Sequence, residues 1–325
     1  MTNPMTNAMT NRMKGPILGL LLALMLASAS PAPAAIPGAT AGAFARIDVG
    51  ARILGMGGVG VVTERGAFAG HWNAANLVHL EANELAVDYA DLFGLGIARH
   101  TTVAVAWRRT ATRRVLREGR LATVPRGGQL GFGLELALTT VDLEPETYTE
   151  FAPAFSFAGS PWSGLAAGSR IRLLRASSDL DDVSAFGYAI DLGLAVERFA
   201  PWRVGAQARN LLSTLAWSDD TSDHLPVAIE VGLAYEMLPC LLLAAAATAS
   251  EDLSPIESAR LGGEWNLDPI ALRAGITLHQ DRGEDRFGMN LGAGARLRGL
   301  HLDYAFVGED DTIDPSQRVS LRLIF

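Results

Sequence analysis

Apolar and polar residues alternate in segments that recur about every fifteen residues from Leu85 onward, and this pattern limits the possible folds more than any motif. In the last segment Val319, Leu321, Leu323 and Phe325 fall on one face of an extended strand, and Arg318, Ser320 and Arg322 fall on the other. Successive side chains of a strand point to opposite faces, so each such segment has one oily side. Further oily rows are Leu300, Leu302, Tyr304 and Phe306; Phe287, Met289, Leu291 and Ala293; Ile270, Leu272, Ile276 and Leu278; and Val227, Ile229, Val231, Leu233 and Tyr235. Phe186, Tyr188, Ile190, Leu192, Leu194 and Val196 form the longest, and Leu130, Phe132, Leu134, Leu136 and Leu138 another. About fourteen segments can be counted, an even number within the range of single-chain transmembrane barrels. Residues 151–157, with Pro153, and residues 241–247, apolar on both faces, are weaker. In a soluble sheet the final strand would be an exposed edge, whereas in a closed barrel it pairs with the first. The expectation is an all-β protein: a transmembrane antiparallel β-barrel in residues 83–325, with Phe325 as its assembly signal.

The beginning of the chain reads as an export signal. Lys14 precedes an apolar run over residues 16–27, and Ala32-Pro33-Ala34 offers a small-x-small cleavage site, so residues 1–35 are expected to be removed. Met1, Met5, Met9 and Met13 head a repeated Met-Thr-Asn pattern, and Met13 is an alternative start. Hydrophobic residues make up 49%, yet no later stretch reaches the length of a helical membrane span; the longest, residues 237–248, contains Pro239. Cys240 is the only cysteine, which excludes a disulfide framework and a cysteine metal cluster. Loss of Arg12 and Lys14 with the leader would take the formal charge from −8 to −10, the wrong sign for a nucleic-acid binder. The expected location is a bacterial outer membrane, with its lipid as a partner.

Barrels of this kind have short periplasmic turns and longer outer loops. With Phe325 at the periplasm, the outer loops fall at residues 142–150, 177–183, 218–224, 251–257, 280–286 and 308–317, all acidic. The opposite connections, near Pro161, Pro201, Pro239, Pro269 and Gly299, are short. One connection on that side breaks the rule: residues 108–128 are long and carry Arg108, Arg109, Arg113, Arg114, Arg117, Arg120 and Arg126 against one acid, Glu118. It reads as a solvated basic loop or short helix; the alternative is a contact site for secretion-system or periplasmic proteins, or for lipid phosphates.

Residues 36–82, ahead of the barrel, hold the most distinctive motif: Gly50-Ala51-Arg52, then Gly55-Met56-Gly57-Gly58-Val59-Gly60, then Trp72-Asn73-Ala74-Ala75-Asn76. Gly55, Gly57 and Gly60 fit a dinucleotide fingerprint on paper, but no βαβ unit follows. A glycine-permitted backbone path packed inside a barrel lumen, a plug, fits better.

At these residues the chain resembles the PorV/PorQ family, relatives of the FadL-type transporters of hydrophobic compounds. The resemblance continues through Ala189-Ile190-Asp191-Leu192-Gly193, Arg209-Asn210-Leu211, Leu225-Pro226, Gly232-Leu233-Ala234-Tyr235, Gly263-Glu264, Arg273-Ala274-Gly275 and Asp303-Tyr304-Ala305-Phe306. Asn73-Ala74-Ala75-Asn76 departs from the family's usual Asn-Pro-Ala-Gly. The resemblance implies a barrel of about fourteen strands with an amino-terminal plug built on Gly50, Arg52, Gly55, Met56, Gly57, Gly58, Trp72 and Asn73. Some members serve type IX secretion.

Catalytic patterns are weak. His71, His79, His100, His224, His279 and His301 have no metal-ligand spacing, and no Gly-x-Ser-x-Gly elbow accompanies them. A constellation of His301 and Asp303 with a serine on a neighbouring strand stays open. Arg260, Glu264, Arg273, Arg296, Asp303 and Arg322 fall on lumen faces, where buried charges need partners. No cofactor and no metal is expected. Three functions remain: a PorV/PorQ-type barrel in secretion or surface assembly, a FadL-like channel for hydrophobic small molecules, and a barrel enzyme. The charged lumen rows favour the first.

Overall fold

The computed structural model describes residues 47–92, 95–117, 120–143, 146–179, 184–250, 256–281, 284–308 and 315–325. The expected signal segment and residues 36–46 of the expected plug lie outside them. Among the described residues, fourteen strands close into one antiparallel barrel. They are β1 (Glu84–Asp91), β2 (Ala98–Arg117), β3 (Arg120–Leu143), β4 (Glu146–Trp162), β5 (Leu165–Ser178), β6 (Ser184–Phe199) and β7 (Trp202–Trp217). The second half comprises β8 (Ala228–Leu238), β9 (Leu241–Ser250), β10 (Ser258–Asn266), β11 (Ile270–Asp281), β12 (Glu284–Leu297), β13 (Leu300–Gly308) and β14 (Ser316–Ile324). Each strand pairs with the next, and β14 pairs with β1 in the register Glu84↔Ile324 to Asp91↔Gln317, so the sheet closes on itself.

The alternation read from the sequence becomes an outward apolar band. Leu134, Leu136 and Leu138 on β3, Ile171 and Leu173 on β5, Phe287, Met289 and Leu291 on β12, and Val319, Leu321 and Leu323 on β14 are all exposed. A continuous apolar surface of this extent belongs against lipid. Glu84 and Phe325 mark one end, called here the base; the Phe325 amide donates to the Asn83 carbonyl at 2.9 Å. Outward aromatics gather near the base: Trp107 stacks on Phe132 with centroids 5.7 Å apart, Trp202 packs on Tyr235 at 4.4 Å, and Trp162 and Trp265 are exposed. Such a girdle marks a membrane–water interface.

Three features of the sequence reading change. The basic segment is neither loop nor helix: β2 and β3 run on through it as a two-stranded ribbon paired from Thr112↔Pro125 to Arg117↔Arg120. Its threonine- and valine-containing strands pair with each other where no neighbour is available. Second, two of the expected long loops shrink, because pairing continues to Leu143↔Glu146 and to Asp281↔Glu284. Acidic side chains signal solvent exposure and do not by themselves end a strand. Third, residues 151–157 stay in β4 although Pro153 lacks an N–H; pairing to β5 skips from Phe151↔Arg175 to Ala154↔Arg172, and the ladder to β3 continues. Both faces of β9 are apolar because Leu242, Ala244 and Ala246 pack inward on Met56, Val59, Val61 and Val62.

Candidate functional site

Residues 47–80 pass through the barrel interior as short helical turns, α1 (Ala51–Leu54), α2 (Gly60–Thr63) and α3 (Ala69–Trp72), followed by a 3-10 turn (Ala74–His79). The barrel accepts this segment by giving up side chains. Glycines face each other across neighbouring strands at Gly168↔Gly193, Gly205↔Gly232 and Gly262↔Gly275. A Cβ at Gly262 would overlap the Met56 carbonyl, one at Gly205 the Val61 carbonyl, and one at Gly193 the Asn73 side chain. Gly55 lies against Gly292, where an added Cβ would stand 2.8 Å from the neighbouring Cα. Gly57 and Gly58, at φ 74° and 78°, make the left-handed turn that lets the backbone lie close against the inner face of β10 and β11.

The motif residues hold this path together. Trp72 is buried, donates from Nε1 to the Val49 carbonyl at 2.9 Å, and covers Gly60, where a Cβ would strike its ring. Asn73 Nδ2 donates to the carbonyls of Val61 and Leu194, both at 2.9 Å, while its Oδ1 caps the 3-10 turn at the Ala75 amide. Asn76 donates to the same Val61 carbonyl. The departure from Asn-Pro-Ala-Gly thus leaves an intact cap.

Charges tie the segment to the wall. Arg52 grips Glu264 with two parallel bonds, Nε to Oε2 at 2.8 Å and Nη2 to Oε1 at 2.9 Å. Arg273 reaches the same carboxylate at 2.7 Å and Asp303 at 2.8 Å, and Arg322 reaches Asp303 at 2.9 Å. Further along the same side of the wall Glu230 accepts from Arg209 at 3.1 Å and Arg260 at 3.4 Å, and Arg260 also donates to the Gly58 carbonyl. A third group joins His71 to Glu135, Glu135 to Arg170, and Asp191 to Arg172. Burial, ahead of the Arg170 charge, holds the His71 imidazole below its usual range despite the raising effect of Glu135. Five of the six lumen charges read from the sequence therefore lie in ion pairs; Arg296, half-buried, bonds the Asn266 side chain instead. The His301–Asp303–serine constellation is not assembled: Asp303 is held by two arginines, and the cross-strand Ser320 donates to Asp88 at 2.6 Å.

Above this layer the lumen changes character. Leu174, Ala176, Ala185, Ala189, Leu215 and Leu225 form a buried apolar cluster, with Ile47, Tyr148, Ala152 and Trp217 packed against it. A cleft of about 360 Å³ lies on the outer face of the same strands, lined by Arg175, Ser184, Phe186, Ala216, Trp217 and Ser218. Here the wall is also interrupted. The β7–β8 ladder stops at Arg209↔Ala228, β6–β7 shifts register between Ile190 and Leu192, and Asn210 takes φ 58°. Residues 218–227 fold back over the gap, held by Ser213 Oγ and the Leu225 backbone and by Asn210 Nδ2 donating to the Pro226 carbonyl at 2.9 Å. The sequence reading missed this cluster. Its signal was present: Leu174 and Leu215 are apolar at inward positions of strands whose other face is already apolar.

No family model matches the chain, and no curated protein matches its sequence. Solved structures do. The CymD monoaromatic hydrocarbon channel superimposes with a TM-score of 0.64 at 14% identity, over 85% of this chain and 97% of that one. A Pseudomonas aeruginosa FadL homologue gives 0.56 at 13% over 85% and 98%, and the Pseudomonas putida toluene transporter TodX gives 0.54 at 14% over 84% and 96%. The fold is that of the FadL-like outer-membrane barrels. The FadL-like likeness spans nearly the whole of each of these structures and does not separate the PorV/PorQ subgroup from its relatives.

Proposed function

We propose that this FadL-like barrel passes or binds hydrophobic small molecules, the second of the readings open to the sequence. The observation that carries it is the inward apolar cluster around Leu174, Leu215 and Leu225, set beside an interrupted wall and above a charge-paired layer. Apolar pockets with a few polar groups at one end are the usual form of small-molecule sites. The fold neighbours described as hydrocarbon and toluene channels support the same reading, and the secretion role implied by the PorV/PorQ resemblance has no comparable support. The paired lumen charges, taken from sequence as favouring secretion, are satisfied by the plug segment and its neighbours. The base, with its aromatic girdle and short turns, faces the periplasm in this reading.

Toluene binding tests it. Purified full-length protein in detergent should quench or shift Trp217 fluorescence on toluene addition, judged against a Trp217→Phe variant. Leu174→Asn and Leu215→Asn should each weaken binding about ten-fold, because each places an amide in an apolar site. No saturable toluene response in the wild type, or undiminished binding in both folded variants, would remove the site.

A further inference from the structure

On the outer face of β5, β6 and β7 the side chains change from apolar to polar along one row. Exposed Ile171 and Leu173 lead up β5 to exposed Arg175 and then Ser177, while β6 passes from Tyr188 through Phe186 to Ser184, and β7 from Leu212 through Ala216 to Ser218. Register sets Phe151, Arg175, Phe186 and Ala216 side by side across β4 to β7. Arg175 stands ten residues beyond Leu165, which pairs with Trp162 in the aromatic girdle at the base. At about 3.3 Å per residue and a tilt of about 40°, that is a height of about 25 Å, the extent of a barrel's apolar band. The row therefore lies at the opposite membrane boundary.

Among the described residues no hydrogen bond or ion pair reaches the Arg175 guanidinium, and two acids of the neighbouring 218–224 segment are engaged elsewhere: Asp219 accepts from Thr221, and Asp223 from Trp217 Nε1 at 2.8 Å. Arg175 instead lines the outer cleft of about 360 Å³ together with Ser184, Phe186 and Ser218. That is about a dozen water volumes, room for a sugar phosphate and not only for an ion. The Ser218 amide donates to the Ser184 carbonyl at 2.9 Å and the Ser184 amide to Ser218 Oγ at 3.2 Å, which leaves the Ser218 hydroxyl proton for another acceptor. The geometry points to a phosphorylated glycolipid of the outer leaflet as the occupant, its phosphate on Arg175 and its acyl chains along Phe151, Leu173, Phe186 and Tyr188. A guanidinium fork matches phosphate oxygens two at a time, and the exposed aromatic and aliphatic side chains below it match hydrocarbon. A free phosphate ion would use the arginine and leave those side chains without a role. The assignment rests on the orientation that puts the base at the periplasm, and not on hydrocarbon binding in the lumen.

Retention of radiolabelled lipid A by tagged full-length protein in dodecyl maltoside tests it, with each variant checked for its heat-modifiable folded form. The wild type should retain bisphosphorylated lipid A saturably. Arg175→Gln should lower the apparent affinity at least about ten-fold, the effect of losing a charge-assisted pair of bonds. Arg175→Lys should lower it by about three-fold, since an ammonium keeps the charge and loses the fork. Dephosphorylated lipid A should bind the wild type as weakly as lipid A binds Arg175→Gln. Undiminished retention by folded Arg175→Gln, or equal retention of dephosphorylated lipid A, would overturn the assignment. Complete displacement by excess inorganic phosphate would make this a free-anion site instead, and displacement by equimolar phosphatidylglycerol would assign it to the phospholipid leaflet and invert the orientation. Toluene affinity should be unchanged in Arg175→Gln, because Arg175 lies on the outer face and not in the inner cluster, so the two readings fail separately.

Discussion

At Gly262 the decision between strand and plug is made by one missing methyl group. The strand needs no glycine there for its backbone, and glycine weakens a strand, so its presence reflects the Met56 carbonyl packed directly against it. Gly262→Val should destabilise the folded barrel by about 1–3 kcal/mol or more, since the opposing atom is backbone and cannot rotate away. Gly159→Ala is the control, because its Cβ would meet only the Leu130 side chain at an ordinary 3.5 Å. Thermal loss of the compact electrophoretic form measures both; equal midpoints would show that the plug gives way easily. Abundant glycine was legible in the sequence, but its pairing across strands was not, because register is a property of two strands together.

Among the elements, the β1–β14 seam shows what the alternation specifies. Val87 opposes Leu321 and Tyr89 opposes Val319, all outward and exposed, while Asp88, Ser320 and Arg318 turn inward to bond one another. A one-residue slip would exchange these faces, so the seam has one register. Leu321→Arg places a charge near the middle of the apolar band and should cost about 2–4 kcal/mol in urea unfolding from lipid vesicles. An unaffected unfolding midpoint would mean that this strand face does not meet lipid. The β2–β3 ribbon shows the opposite case. Its residues had strand-forming threonine and valine, yet arginine content dominated the sequence reading and suggested a loop.

For the whole molecule, a barrel of about fourteen strands is wider than its own side chains fill, so its conductance depends on what lies inside. Residues 47–80 occupy that space with buried Trp72, Phe68, Ile53 and Leu77 and with ion pairs to strands around the wall. Planar-bilayer recordings of the intact protein should show low, intermittent ion conductance. A variant lacking residues 36–80 that still gives the heat-modifiable folded form should show a steady open pore. Large conductance in the intact protein would contradict a sealed lumen, and low conductance in the folded truncation would assign the closure to another part of the barrel.

The sequence by itself determined the barrel, its strand number and the facing of most strand residues, because a period of two is written locally and survives without knowledge of any partner. It also marked Trp72, Asn73 and the glycines around Met56 as a compact unit. Only the tertiary structure decided what each inward residue meets. Arg52 and Glu264 are 212 positions apart, and nothing local to either names the other. The same holds for the cluster of Leu174, Leu215 and Leu225: alternation says that a side chain points inward, while closure of the barrel and the path of the plug decide whether it finds a charge, a backbone or an apolar space.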